Sequence, residues 1–188
     1  MTPAFETGTP VTGPDHSHAL GALLASGSAY LASLPNSVFF ARQGNAWSPA
    51  GHIRHLQKAG APLARALKLP RWMIALRFGT WGGASRSFVE MRDAYRATLD
   101  RGGQAGQFAP EPQLSAADPQ ARRLEIMNAW ATVTVDLQGA IAKSPEGALD
   151  RLRLPHPLLG LLTVREMLAF SVYHTAHHLR RVAERAGD

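Results

Sequence analysis

Apolar residues recur along this chain at steps of three and four, and no segment of useful length alternates between apolar and polar residues. Steps of three and four place side chains on one face of an α-helix, whereas alternation is the mark of a half-buried strand. The sequence therefore predicts an all-α protein and argues against a sheet. With 188 residues, the chain is long enough for one domain with a hydrophobic core of its own.

Helix-start signals divide this pattern into segments. Ser48-Pro49 offers a serine oxygen for an N-cap and a proline for the first helical position, and Ser87 to Glu90 and Thr163 to Glu166 have the spacing of a capping box. The predicted helices span 15–34, 48 to about 69 with a kink at Pro62, 87 to about 99, 118 to about 143, and 163 to the C-terminal region. Residues 1–14 are predicted to be a flexible arm, and residues 15–186 a single helical domain.

The connecting segments differ in composition. Residues 70–84 are apolar but rich in Gly and Trp, which indicates a packed connector rather than a principal helix. Residues 102–117 contain paired glycines and two prolines, so they are predicted to form a mobile linker. On the helix that follows this linker, the predicted buried side is marked by Leu124, Met127, Ala131, Val135 and Ile141.

Composition excludes several kinds of site. The chain has no cysteine, so disulfides, thiolate metal sites and cysteine nucleophiles are impossible, and any metal must be bound by histidines and carboxylates. The N-terminus does not resemble a secretory signal, and no apolar run approaches the roughly 18 residues of a membrane span. These features predict a cytoplasmic protein with no membrane association.

Charge and motif searches narrow the function. The net charge is +6 and almost all of it is carried by arginine, but the arginines are scattered and no nucleic-acid motif accompanies them, so nucleic-acid binding ranks last. The patterns GxSxG, P-loop, GxGxxG and HExxH are absent. Their absence argues against a serine hydrolase, an NTPase, a dinucleotide enzyme and a zinc peptidase of the common types.

Histidines are the most informative residues, because five of the eight fall into two helical clusters. His174 and His178 lie one helical turn apart on one face, so their imidazoles can share a metal ion. A histidine from a facing helix would complete a three-histidine site with open positions. His55 is the best candidate, with His52 as its competitor. The alternative is that these histidines are hydrogen-bonded structural residues.

The remaining histidines have less distinctive positions. His177 points to the other side of His174 and could support a ligand or face solvent. An ordinary polar role is assigned to His16, His18 and His156, which lie in predicted loops or at a helix start.

Both clusters, read with their flanks, resemble a known family. Residues 47–56, WSPAGHIRHL, look like the segment that opens the second helix of DinB/YfiT-type domains. The stretch HPLLGLLT at 156–163, followed by Glu166 and the run HTAHH at 174–178, is similar to the C-terminal motif of the same superfamily. The two motifs bracket most of the chain.

This resemblance implies a four-helix bundle with up-up-down-down topology and a long crossover, often as a homodimer. It also implies a divalent metal ion held by three histidines, which correspond here to His55, His174 and His178. Zinc or nickel is the first expectation and iron or manganese the second, because three neutral imidazoles suit all of them.

The resemblance further implies an activity. Characterised branches of the superfamily use low-molecular-weight thiols in isomerase and S-transferase reactions, so the first hypothesis is a metal-dependent thiol S-transferase acting on a small-molecule substrate. His52, His177 and Glu166 are candidates for orienting ligands or carrying protons. The alternatives are a metal-assisted hydrolase and a non-catalytic, metal-binding or stress-related interaction module.

Overall fold

The computed structural model describes residues 4–42, 44–112 and 117–186. Its helices are α1 (Gly13–Ser33), α2 (Asn36–Phe40), α3 (Pro49–Ala66), α4 (Arg71–Phe78), α5 (Phe88–Asp100), α6 (Pro119–Ala142), α7 (Glu146–Arg151) and α8 (Val164–Ala186). A 3₁₀ turn spans Gly106–Phe108, and the strands β1 (Arg153–His156) and β2 (Gly160–Thr163) form one small hairpin. The prediction of an all-α fold is confirmed.

Four long helices form the bundle, in the spatial order α1, α6, α3, α8 around the core. Helices α1 and α6 run antiparallel, since Arg123 at the start of α6 donates to the carbonyl of Leu34 just after α1. Helices α3 and α8 are also antiparallel, because His52 at the start of α3 meets His178 near the end of α8. Arg165 at the start of α8 donates to a carbonyl just before α1, so α1 and α8 are parallel.

The directions along the chain are therefore up, down, down and up, which differs from the up-up-down-down order that the resemblance implied. The long crossover is present between the parallel helices α3 and α6, and it contains α4, α5 and the 3₁₀ turn. Helix α5 packs outside the bundle against α8. This places the crossover beside the C-terminal half of α8, where the histidine cluster lies.

The predicted helix starts are confirmed by side-chain caps. The Ser48 hydroxyl accepts from the Gly51 N–H at the start of α3, and Ser87 and Glu90 form the capping box of α5. At α8, the Thr163 N–H donates to Glu166 and the Glu166 N–H donates to the Thr163 hydroxyl. Helix α3 is continuous across Pro62.

Two connecting segments differ from their predictions. Residues 70–84 contain the short helix α4, and Trp72 and Leu76 are 66% and 80% exposed, so the predicted connector is not packed throughout. The segment between the helix predicted to end near residue 143 and the one predicted to begin at 163 holds α7 and the β-hairpin, in which Arg153 pairs with Thr163. The four-residue strands of this hairpin are too short to show an alternating pattern, so periodicity could not predict them.

The predicted face of α6 is wrong at two positions. Leu124 and Val135 are 51% and 59% exposed. The buried side is instead formed by Arg123, Ile126, Trp130, Thr134, Leu137, Ala140 and Ile141. Two of these residues are polar, and a pattern that counts only apolar residues therefore selected a neighbouring face.

The N-terminal arm carries a buried anchor. Phe5 is 1% exposed, packs edge-on against Tyr30, and accepts a hydrogen bond from Arg180 on α8 through its carbonyl. Helix α1 begins at Gly13, two residues before the predicted start. Within the described residues, none of the helices combines the length and the apolar character that crossing a membrane requires.

Candidate metal centre

Three imidazoles meet between α3 and α8, and they are the three that the sequence selected. The Nε2 atom of His174 lies 3.0 Å from Nε2 of His55 and 3.0 Å from Nε2 of His178. All three side chains are buried, and one nitrogen from each lies within 4.8 Å of the others. The i, i+4 spacing on α8 brings two of the rings together, and the antiparallel start of α3 supplies the third.

In His55 and His178, the two rings on either side of His174, the Nδ1 atom has a partner that can fix the orientation of the ring. The Nδ1 atom of His55 lies 2.8 Å from the carbonyl oxygen of Phe108, and only an N–H can donate to a carbonyl. A neutral His55 therefore carries its proton on Nδ1 and presents a lone pair at Nε2. The Nδ1 atom of His178 lies 2.8 Å from Nδ1 of His52.

Burial keeps these rings neutral. It lowers the pKa of His55, and it lowers the pKa values of His174 and His178 well below the ordinary range, with neighbouring histidines adding to the effect. Burial, followed by the positive charge of Arg185, lowers the pKa of His52 to about 3. A neutral imidazole is the form that binds a metal ion, so no proton has to be displaced at neutral pH.

The donor set fits a divalent metal ion. A lone pair of His55 faces His174. A neutral His174 has at most one proton on Nε2, so it cannot donate a hydrogen bond to both His55 and His178, although both Nε2 atoms lie 3.0 Å away. A cation at the common point would accept one lone pair from each ring, and the partners at His55 and His178 resemble the outer hydrogen bonds that usually support histidine ligands. Three imidazoles also leave positions open for a further ligand, as in catalytic zinc sites.

A cavity of about 240 Å³ opens beside the three histidines. Its walls are mostly apolar or aromatic and include Trp47, Leu63, Tyr95, Leu99, Phe108, Pro157, Leu158 and Phe170. Burial raises the pKa of Tyr95 to about 12, so its hydroxyl stays protonated at neutral pH. The cavity therefore offers an apolar surround with a few hydrogen-bonding groups, which is typical of sites for small organic molecules.

The segment predicted to be a linker forms part of this site. Residues 103–105 and Phe108 line the cavity, and the carbonyl of Phe108 accepts from His55. Lys58 on α3 holds the same segment by donating to the carbonyl of Ala109 at 2.8 Å. Residues 113–116 of the predicted linker lie outside the described residues.

The other candidate residues take different positions. His52 lies behind His178 and is not one of the three converging nitrogens. His177 is half-buried at the edge of the cavity, where burial and then the charges of Arg181 and Arg180 lower its pKa to about 4. Glu166 caps α8 and forms an ion pair with Arg86, so its oxygens have structural partners.

Of the three histidines outside the clusters, His16 and His156 form hydrogen bonds with the backbone. Nδ1 of His16 lies 2.7 Å from the carbonyl of Thr12 at the start of α1. Nδ1 of His156 accepts from the backbone N–H groups of Leu158 and Leu159, and so stabilises the turn of the hairpin. His18 is exposed.

Sequence reasoning missed four residues that shape the site. Trp47 stacks on His178 at 5.9 Å between ring centroids, and Phe170 stacks on His174 at 4.8 Å. Tyr95 lies edge-on to His174, and Phe108 orients His55 through its backbone. Phe170 could have been found, because it lies four residues before His174 on the same helical face.

Comparison with known proteins agrees with the resemblance noted in the sequence. The family model described as the DinB superfamily matches residues 24–182 of this chain. The matched region contains all three converging histidines and most of the cavity wall. No curated protein and no solved structure matches the chain.

Proposed function

The chain belongs to the DinB superfamily, and we propose that it is a metal-dependent enzyme that transfers a low-molecular-weight thiol to a small organic substrate. The observation that carries the proposal is the meeting of three buried Nε2 atoms at the wall of an apolar cavity. A structural metal site needs no adjoining space for a further ligand, whereas a catalytic one does. The use of a thiol is supported by the superfamily rather than by a contact in this chain.

A divalent metal ion bound by His55, His174 and His178 would supply a Lewis acid that lowers the pKa of a thiol beside it. The chain itself has no cysteine, so the sulfur must come from a cosubstrate. In the net reaction the sulfur forms a bond to an electrophilic carbon while the bond to the leaving group breaks. The leaving group departs with the electron pair of the broken bond. Over the whole reaction it also gains the proton that the thiol loses.

The surrounding residues would bind and orient the reactants. Trp47, Tyr95 and Phe170 surround the cavity with aromatic rings, which exclude water from an electrophilic substrate. His177 stands at the rim as a neutral imidazole, and from this position it can form a hydrogen bond with the thiol cosubstrate and orient it.

Arginines lie beyond this rim. Arg180 and Arg181 line a groove that shares His177 with the cavity. They are placed to attract a carboxylate of the thiol cosubstrate.

The homodimer implied by the resemblance and the cytoplasmic location inferred from the sequence stay predictions. Sedimentation velocity would test the first, and cell fractionation would test the second.

The first experiment measures metal content by mass spectrometry on tag-free protein. We expect close to one zinc or nickel ion per chain after incubation with the metal, and loss of that ion in His178→Ala. The matched control is His18→Ala, because His18 is an exposed histidine outside the cavity. Absence of metal from the wild type, or retention in His178→Ala, would contradict the metal site.

The second experiment tests the thiol. In the cobalt-loaded protein, we expect a small thiol to change the visible spectrum and to produce a sulfur-to-metal band in the near ultraviolet. An unchanged spectrum at saturating thiol would contradict thiol transfer. Turnover of an ester panel without any thiol would then favour the hydrolase, and metal binding without turnover would favour the interaction module.

A further inference from the structure

Helix α4 turns most of its apolar side chains toward solvent. Ile74 is its one buried residue, and the helix packs on strand β1. At about 100° per residue, Trp72 and Leu76 lie on the side of the helix opposite Ile74, with Met73 next to Leu76. Trp72, Met73 and Leu76 are 66%, 41% and 80% exposed. These three residues form an apolar ridge on the surface.

The segment that carries the ridge is anchored in the fold. Thr80 pairs with Leu152 in a β-bridge, and the backbone N–H of Trp81 donates to the carbonyl of Arg151. Trp81 is itself 44% exposed, and its indole N–H donates to the carbonyl of Ala84. The ridge is therefore exposed on a held helix, and not on a loose connector.

This part of the chain carries only positive charge. Residues 16–89 contain no Asp or Glu. Their eight basic residues are Arg42, Arg54, Lys58, Arg65, Lys68, Arg71, Arg77 and Arg86. A segment with charge of one sign attracts a partner of the opposite sign, so the chemistry around the ridge favours an anionic partner.

Two arginines border the ridge. Arg71 and Arg77 lie on opposite flanks of α4 and are exposed. Neither has an ion pair in the part of the chain that the structure describes, and Arg77 lies over the ring of Phe78. Lys68 contributes less, because it pairs with Asp136 at 2.9 Å. The uncompensated charge beside the ridge is therefore that of the two arginines.

An anionic lipid surface fits a convex apolar ridge between arginines. A lipid layer deforms around such a ridge, and tryptophan, leucine and arginine are typical of helices that lie at its surface. A second copy of this chain fits less well, because pairing the same faces would bring arginines together. A two-turn helix about 12 Å long is also small beside the roughly 800 Å² that each partner buries in a specific protein interface.

We propose that α4 lies on an anionic membrane surface, with Trp72 and Leu76 at the acyl boundary and Arg71 and Arg77 at the phosphate groups. The sequence predicts no membrane association because it has no apolar run as long as a membrane span, but a helix on the surface needs no such run. The described residues that line the first cavity include none from α4, so this proposal is independent of the metal centre.

The first test is co-sedimentation of the full, tag-free chain with vesicles. Vesicles of phosphatidylcholine alone are compared with vesicles in which about a third of the lipid is phosphatidylglycerol. Each arginine near an anionic surface strengthens binding about fivefold, so we expect at least tenfold tighter binding to the anionic vesicles at low salt, and release at high salt. Equal binding to both kinds of vesicle, or binding to neither, would overturn the proposal.

Matched variants test the location. We expect Leu76→Ser to weaken binding to anionic vesicles at least fivefold, and Leu124→Ser, which changes an exposed leucine on α6, less than twofold. Arg71→Gln should weaken binding at least threefold, and Arg101→Gln at the end of α5 less than 1.5-fold. All four side chains are exposed, so circular dichroism should show an unchanged fold. Equal weakening within either pair would contradict contact through α4.

Quenching by phosphatidylglycerol with brominated acyl chains tests the contact without relying on lost affinity. Trp72→Phe keeps an apolar ring, so binding should stay within about twofold while at least a third of the tryptophan quenching disappears. Trp130 is 2% exposed and stays out of reach of the lipid. Undiminished quenching in Trp72→Phe would show that another face meets the lipid and would overturn the proposal.

Two further measurements identify a different occupant. If Leu76→Ser dissociates a dimer in sedimentation velocity without vesicles, the ridge is covered by a second copy. If the chain binds soluble polyglutamate but no vesicles, the ridge accepts an acidic protein. Either result overturns the membrane proposal, whereas a monomer that binds only anionic vesicles supports it.

Discussion

The imidazole of His55 donates from Nδ1 to the backbone carbonyl of Phe108, 53 residues along the chain. This bond joins the first half of α3 to the crossover segment, and it also determines which nitrogen of His55 faces the other two histidines. The orientation of a candidate ligand therefore depends on how firmly residues 106–109 are held. Lys58, one turn after His55 on α3, supplies the other bond to this segment.

Lys58→Met should loosen this support. It removes the hydrogen bond to Ala109 but keeps an unbranched side chain, so the helix should be unaffected. We expect zinc to dissociate about threefold to tenfold faster, because outer hydrogen bonds of histidine ligands commonly affect metal affinity by tenfold or more when lost outright. Lys68→Met is the matched control, since the side chain of Lys68 forms an exposed ion pair with Asp136, away from residues 106–109. Similar rates in both variants would contradict a role for the segment.

His52 should support His178 as a hydrogen-bond acceptor. His52→Leu removes the acceptor at a buried position, and we expect it to weaken zinc binding at least tenfold. His52→Asn places an amide oxygen near the position of Nδ1, so zinc binding should stay within about threefold of the wild type. Chelator competition measures both affinities. Equal loss in the two variants would indicate that His52 acts through packing alone.

Much of the bundle and all three converging histidines could be predicted from the sequence. Caps depend on residues within one turn of each other, so Ser48, Ser87 and Thr163 were recognised locally. The pair His174 and His178 follows from helical geometry. Helix α3 was correctly predicted to supply the third histidine, because His52 and His55 lie within the recognisable motif at residues 47–56.

Features that depend on distant contacts were not predicted. Phe108 contributes a backbone carbonyl, which no side-chain pattern reveals, and Tyr95 reaches the cavity only because α5 packs on α8. The buried face of α6 was missed at Arg123, since a charged residue is counted as a surface residue until its partners are known. Helical spacing left His52 as a competitor of His55, and the resemblance to the family selected His55, in agreement with the structure.

Arg123 should be important for stability despite its charge. Its guanidinium donates to the carbonyls of Leu31 and Leu34 and to the side chain of Asn36, and thereby satisfies the C-terminal end of α1. Arg123→Met leaves these acceptors buried without their donor, and we expect a loss of about 2–4 kcal/mol in the free energy of unfolding. Arg122→Met changes a half-buried neighbour whose ion pair with Glu125 is open to solvent, and it should lose less than about 1 kcal/mol. Urea denaturation measures both values.

Acid should destabilise the protein partly through His156, whose pKa burial lowers to about 4. In the unfolded chain the pKa returns to about 6.5, so below that pH the unfolded state binds more protons than the folded state. The contribution of His156 to the free energy of unfolding is therefore fully present above about pH 6.5, and it decreases as the pH falls toward 4. From pH 7 to pH 5 the decrease amounts to about 2 kcal/mol.

His156→Asn isolates this contribution. An asparagine oxygen can replace Nδ1 as the acceptor for the N–H groups of Leu158 and Leu159, but it does not titrate. Urea denaturation with chelator present, at pH 7 and pH 5, should show that the wild type loses about 2 kcal/mol more than the variant. The other buried histidines titrate in both proteins, so their effect cancels in the difference. Parallel losses in the two proteins would show that His156 accepts a proton in the folded state as readily as in the unfolded one.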